Sequence, residues 1–170
     1  MVKVAGGVKI QKALGDIAEK MKKAKQVEVG FFEDKTYPDG TGVAFVAAMN
    51  EWGSKGFFAQ RHAQKYATQK GGEAPPERTG RPPRPFFRGM VNAKSKEWGP
   101  AIAGLLKSND YDADKTLAQM GEAIAGQLEE SIVEYVGPPL AAATIAEKGF
   151  DKQLIDTSVM VKSVSYKVKS

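Results

Sequence analysis

His62 is the only histidine in the chain and cysteine is absent, which narrows the available chemistry at once. A Ser-His-Asp triad would have to recruit His62, yet no serine sits in the strand–turn–helix elbow that exposes a nucleophile. A single histidine cannot build a histidine-rich metal site. Without thiols there is no zinc on sulfur ligands, no disulfide framework and no thiolate nucleophile. The tightest acidic cluster is Asp110, Asp112 and Asp114. Its alternate spacing imitates the start of a calcium-binding loop. However, Lys115 stands where that loop needs glycine, and Gly121 stands where it needs a bidentate glutamate. Helix capping is the better reading of these acids. The pairs Gly6-Gly7 and Gly71-Gly72 lack the Gly-Lys-Ser/Thr of a phosphate loop, and Gly53 opens no dinucleotide fingerprint. With no nucleophile, base and oxyanion donor brought together, the sequence reads as a non-enzyme with no catalytic residue, no cofactor and no metal.

Cationic side chains are the other chemical resource. The chain has 25 Lys and Arg against 20 Asp and Glu, a net charge of +5. Between Lys55 and Arg88 eight basic residues face only Glu73 and Glu77, so this segment carries +6 and the remainder −1. Arg78, Arg81, Arg84 and Arg88 suit phosphate contacts, and Phe57, Phe58 and Tyr66 could stack on bases. Arg61, Lys65, Lys70, Arg78, Arg81 and Arg88 are therefore the candidates for touching DNA or a partner protein. Five prolines between Pro75 and Pro85 stiffen the segment, and no DNA- or RNA-reading motif accompanies it. A solvated basic loop that orders only against a partner subunit is the competing reading.

The elements that must position these residues belong to a chain of 170 residues, a length that argues for one domain over 1–170 with room for a core. Its 42% hydrophobic and 26% charged residues place it among globular rather than disordered chains. No apolar run approaches the roughly 18 residues a spanning helix needs, and no signal-peptide core opens the chain. Neither membrane insertion nor export is expected, and the lack of cysteine suits a reducing cytosol.

Ile10, Leu14, Ile17 and Met21 recur at helical spacing and predict an amphipathic helix starting near Val8. Val27, Val29 and Phe31 alternate as in a strand over Gln26 to Glu33, and Asp34 to Gly42 has turn chemistry. Val43 to Trp52 reads as a short buried helix closed by Gly53. An irregular loop follows at about 54–84, with an undecided strand or helical excursion at Phe57 to Ala67. Helical period returns after Pro85 with Phe87, Val91, Trp98, Ile102 and Leu105 on one face, and Pro100 predicts a kink or break. A polar link from Asn109 to Asp114 leads into a long helix carrying Leu117, Met120, Ile124, Leu128, Ile132 and Tyr135. A short helix, Ala141 to Lys148, stops at Gly149. Asp156 or Thr157 caps a further turn, and Ser163 to Lys169 alternates as a strand. About five helices and at least two strands give an α+β fold, a small antiparallel sheet packed by the helices. No internal repeat is present.

Pro83-Arg84-Pro85-Phe86-Phe87-Arg88 is too constrained to be a solvent linker. Pro85 fits the first turn of a helix, where its missing N–H costs nothing. Phe86 and Phe87 would anchor that helix, and Arg84 is the candidate partner of Glu51.

Three stretches, AAMNEWG (47–53), RPPRPFFR (81–88) and the segment from Pro138 to Val168, together resemble the tail-completion or neck proteins of long-tailed bacteriophages. The matching residues are Asn50-Glu51-Trp52-Gly53, then Pro83-Arg84-Pro85-Phe86. They continue with Pro138-Pro139-Leu140, Thr144-Ile145, Lys148-Gly149, Leu154-Ile155-Asp156-Thr157 and Ser163. The chain departs from the family pattern at Ala141, where a polar cap is usual, and in an expanded connection at Gly56 to Gly80. What the resemblance implies is a structural virion-assembly protein that forms a homo-oligomeric ring, a hexamer before other sizes. Such a ring joins the tail tube protein to the head connector or stopper, with DNA passing through the lumen unread. It would sit at the neck of the virion, after assembly in the host cytoplasm, with no membrane and no small-molecule substrate. A tail terminator that ends tube growth is the alternative inside the same class. A non-specific nucleic-acid-binding module using the basic loop is the alternative outside it.

Overall fold

The computed structural model describes residues 7–21, 26–53, 82–140, 142–155 and 158–169. Among these the chain forms, in order, α1 (Gly7–Met21), β1 (Gln26–Phe31), α2 (Val43–Trp52), α3 (Phe86–Ser108), α4 (Ala113–Val133), α5 (Ala142–Lys148), α6 (Val159–Lys162) and β2 (Val164–Lys169). β1 and β2 pair as a two-stranded antiparallel sheet, so the α+β expectation stands. No described helix is long and apolar enough to cross a membrane. The contacts divide the chain into two compact units, each assembled from separated stretches of sequence.

The first unit comprises Met1–Gly30, Ala93–Gln127 and Ser165–Ser170. Its α3 and α4 portions form a helical hairpin turned by Asn109 to Asp112, with Asp110 and Tyr111 at positive φ (52° and 59°). Asp112 caps α4 in the way the acidic cluster predicts: its Oδ1 accepts the Lys115 N–H at 3.0 Å. Trp98 Nε1 donates to Gln127 Oε1 at 2.9 Å and ties the two helices together. Gly121 is obligatory, because a Cβ there would lie 2.6 Å from the Tyr166 ring and 2.8 Å from Val27. The helix thus packs its backbone directly on the strand pair, which Lys169 and Glu28 bridge at 2.7 Å. At the end of α1, Lys20 meets the Asp110 carboxylate and also its carbonyl at 3.1 Å. Pro100 lies inside α3 without ending it. Both Pro100 and Lys96, whose carbonyl loses its helical donor, are exposed residues.

The second unit comprises Phe31–Asn92 and Leu128–Val164. Its core gathers Val43 and Ala47 from α2, Phe86 and Met90 from α3, Leu128 and Ile132 from α4, with Leu154 and Met160. The buried face of α3 therefore begins at Phe86 and Met90, whereas Phe87 is only half-buried. The turn before α2 is fixed by Asp39, whose carboxylate accepts the Thr41 backbone N–H at 2.9 Å and the hydroxyl at 3.0 Å. Those two bonds hold the Asp39 carboxyl below its ordinary range. Burial pushes the Tyr135 phenol up; Arg84 opposes the shift and Glu51 adds to it. Gly137 lies against the Tyr135 ring with no room for a Cβ, and Gln153 Nε2 bonds the Gly137 and Pro138 carbonyls, both at 2.8 Å.

Candidate functional site

Helix α2 is short, rich in alanine and closed by Gly53 at φ 79°, a conformation that favours glycine. Its buried stripe is Val43, Ala47 and Glu51, four residues apart, so the third member of an apolar stripe is an acid. Glu51 is only 5% exposed, and such an acid requires partners. It finds them at the start of α3, where the first amides of a helix have no acceptor within the helix. The Glu51 carboxylate accepts the Phe87 N–H at 2.9 Å, the Arg88 N–H at 3.1 Å and the Arg88 Nε at 2.7 Å. Arg88 Nη2 also donates to the Glu51 carbonyl at 3.1 Å. Pro85 precedes the helix, has no N–H to satisfy, and accepts the first helical bond from Gly89 at 3.0 Å. The Phe86 N–H turns back to the Arg84 carbonyl at 2.8 Å. An acid from α2 thus caps α3 in the role that a side chain of its own sequence usually fills, and the positive end of the helix dipole favours its charge.

Around this cap the two sequence motifs lock together. The Arg84 N–H donates to the Asn50 carbonyl at 2.7 Å, and Arg84 Nη1 donates to Asn50 Oδ1 at 3.2 Å. Asn50 Nδ2 anchors to the Val46 carbonyl at 3.0 Å, and Ser131 Oγ donates to the Phe86 carbonyl at 2.7 Å. The Arg88 guanidinium stacks on the Trp52 ring, 3.9 Å from its centroid. Phe31 meets Phe86 edge to face at 6.3 Å. Between α2 and α3 lies an apolar depression of about 240 Å³, floored by Ala47 and Phe86 and walled by Phe31, Ala48, Trp52 and Phe87. That is smaller than the roughly 300–1,000 Å³ typical of small-molecule sites. Trp52, at 62% exposed, stands at its rim.

Glu51, Trp52, Gly53, Arg84, Pro85 and Phe86 therefore meet in one place, with Pro83 exposed just before them. Two expectations change. The ion pair of Glu51 is with Arg88, while Arg84 serves Asn50. Arg88 accordingly belongs to the first turn of α3, and its guanidinium is engaged within the chain rather than offered from a loop. Arg61, Lys65, Lys70, Arg78 and Arg81, with His62 and the excursion at Phe57 to Ala67, lie outside the described residues. Pro138 and Pro139 are exposed and Leu140 is half-buried after α4. Gly149, at φ 78°, ends α5 as expected. Asp156 and Thr157 are also outside the described residues; the residue flanking α6 is Ser158, at φ 59°, and its side chain makes no cap bond. No sequence signal marked Arg88 as the Glu51 partner, or Ser131 and Gly121 as close-contact positions.

No protein-family model, curated protein or solved structure matches the chain.

Proposed function

We propose that the protein is a structural component of a phage neck, a subunit of a homo-oligomeric ring that joins the tail tube to the head connector. What supports this reading is the union of Asn50-Glu51-Trp52-Gly53 with Pro83-Arg84-Pro85-Phe86. These motifs are separated by an expanded connection in sequence, yet they share one hydrogen-bond network. In this reading the polar residues of the site have a scaffolding role: they hold Gly53 and Pro82, the two ends of the connection, on one body. The six basic residues of that segment against Glu73 and Glu77, a net +4, suit either a neighbouring subunit or the DNA in the lumen. Ring formation and docking on tube and connector require surfaces, not a reactive centre.

Electron microscopy of the purified chain, paired with mass in solution, tests the proposal. Closed rings with a central lumen are the expected result. A single chain that binds duplex DNA of any sequence, with affinity falling steeply as salt rises, would instead favour the nucleic-acid module.

A further inference from the structure

The turn ahead of α2 carries the chain's only Asp-Gly pair, Asp39-Gly40, and the sequence has no Asn-Gly. A backbone rearranges most readily at such a pair. The glycine nitrogen, unshielded by a side chain, attacks the side-chain carbonyl carbon of the aspartate, and water leaves. Water then reopens the five-membered succinimide. Opening at one carbonyl restores aspartate; opening at the other leaves isoaspartate, with the main chain rerouted through the side chain and longer by one methylene. Asp39 and Gly40 are both exposed, so water reaches them. The turn itself calls for this pair. Pro38-Asp39-Gly40 is the three-residue connection of a hairpin, closed by the Tyr37 N–H on the Thr41 carbonyl at 2.8 Å and continued by the Thr36–Gly42 bridge. Its third residue sits at φ 81°, which favours glycine. Its second residue is the acid that holds Thr41.

We infer that Asp39-Gly40 is a latent isoaspartate site, and that the bonds building the turn, those of Thr41 above all, lock it against the rearrangement. Attack needs three things that the turn opposes. The Gly40 nitrogen must shed its proton, but its N–H donates to the Tyr37 carbonyl at 2.9 Å. The Asp39 carboxyl must swing onto that nitrogen, but one oxygen accepts the Thr41 N–H at 2.9 Å and the other accepts its hydroxyl at 3.0 Å. Loss of water requires the protonated acid, and the same two bonds favour the ionised carboxylate. What the lock protects is the entry to α2. Just past the hairpin the Val43 N–H reaches the Lys35 carbonyl at 2.9 Å. A methylene added to the main chain at Asp39 would shift that pairing at the start of the helix that carries Glu51. The inference does not depend on the neck reading.

The test ages the whole chain beside a free peptide spanning Lys35 to Val43 in the same mildly acidic buffer. Isoaspartate is read after proteolysis, as a peptide of unchanged mass that elutes apart. The folded chain should accumulate it at least about 10-fold more slowly than the peptide, as two retained hydrogen bonds of ordinary net strength allow. Thr41→Val keeps the backbone N–H and the side-chain shape but loses the hydroxyl. It should accumulate isoaspartate about 2- to 10-fold faster than wild type, the effect of one such bond. Thr41→Ser keeps the hydroxyl and should return close to the wild-type rate. Thermal midpoints well above the ageing temperature will confirm that the variants stay folded. The comparison of wild-type chain with peptide needs no variant, so it decides the matter even if Thr41→Val unfolds. A folded chain that isomerises as fast as the peptide, a Thr41→Val rate equal to that of wild type, or a Thr41→Ser rate equal to that of Thr41→Val would each overturn the inference.

Discussion

Two helices of the chain follow opposite rules. Helix α1 has a clean apolar stripe and lies open to solvent at Ile10 and Leu14. Helix α2 has little periodicity, being mostly alanine and valine, yet it buries Val43, Ala47 and Glu51. The difference shows that a periodic pattern reports a face that needs covering without reporting what covers it. Burial is decided by close approach and by satisfied polar groups. α2 is fixed because its small residues admit the α3 backbone and its acid supplies the acceptor that α3 lacks. At its end α1 is tied to its unit by an exposed ion pair of the kind that contributes little.

Removing the cap on the α2 side should have the largest effect. Glu51→Ala leaves two helix amides and the Arg88 guanidinium without their acceptor and should cost about 2–3 kcal/mol. Glu51→Gln should cost less, since its carbonyl oxygen still accepts. Denaturant unfolding of the two variants separates the loss of charge from the loss of the acceptor. Gly121→Val should follow at about 2 kcal/mol through overpacking against Tyr166 and Val27, with the strand pair shifted in NMR spectra. Asp112→Ala removes the α4 cap and should lower stability by about 1 kcal/mol, read as a fall in the thermal midpoint. Leu14→Gln, measured in dilute solution, should change stability by less than about 0.5 kcal/mol. A large loss there would mean that the α1 stripe is covered within its own chain and would erase the contrast between the helices.

Much of the fold was legible because its signals are local. Val43 to Trp52 with Gly53 as terminator, the strand at Val164 to Lys169 and the stop at Gly149 each follow from a few neighbouring residues. The polar link from Asn109 to Asp114 announced a cap before α4, and the structure gives that role to Asp112. The failures concern choices that local pattern leaves degenerate. Phe86 and Phe87 are adjacent aromatics, and either could lead the buried face of α3. The need of Glu51 for the Phe87 and Arg88 amides turns Phe86 inward. Arg84 and Arg88 both lie within reach of an acid at the end of α2 by sequence alone. The backbone bond from Arg84 to Asn50 settles which faces which. Pro100 predicts a kink or break by its lost hydrogen bond alone; the helix continues through it, in a turn whose residues Lys96 and Pro100 are exposed. Ser158 flanks α6 at positive φ and, although serine is a common capping residue, its side chain makes no cap bond.

The capping of α3 by Glu51 from α2 is tested most directly by a double-mutant cycle with Arg88. Glu51→Ala is compared by denaturant unfolding in the natural chain and in Arg88→Ala. The Phe87 and Arg88 amides need their acceptor in both backgrounds, so the loss should persist at about 2 kcal/mol without the Arg88 side chain. A Glu51→Ala change that costs nothing once the Arg88 side chain is gone would contradict the account.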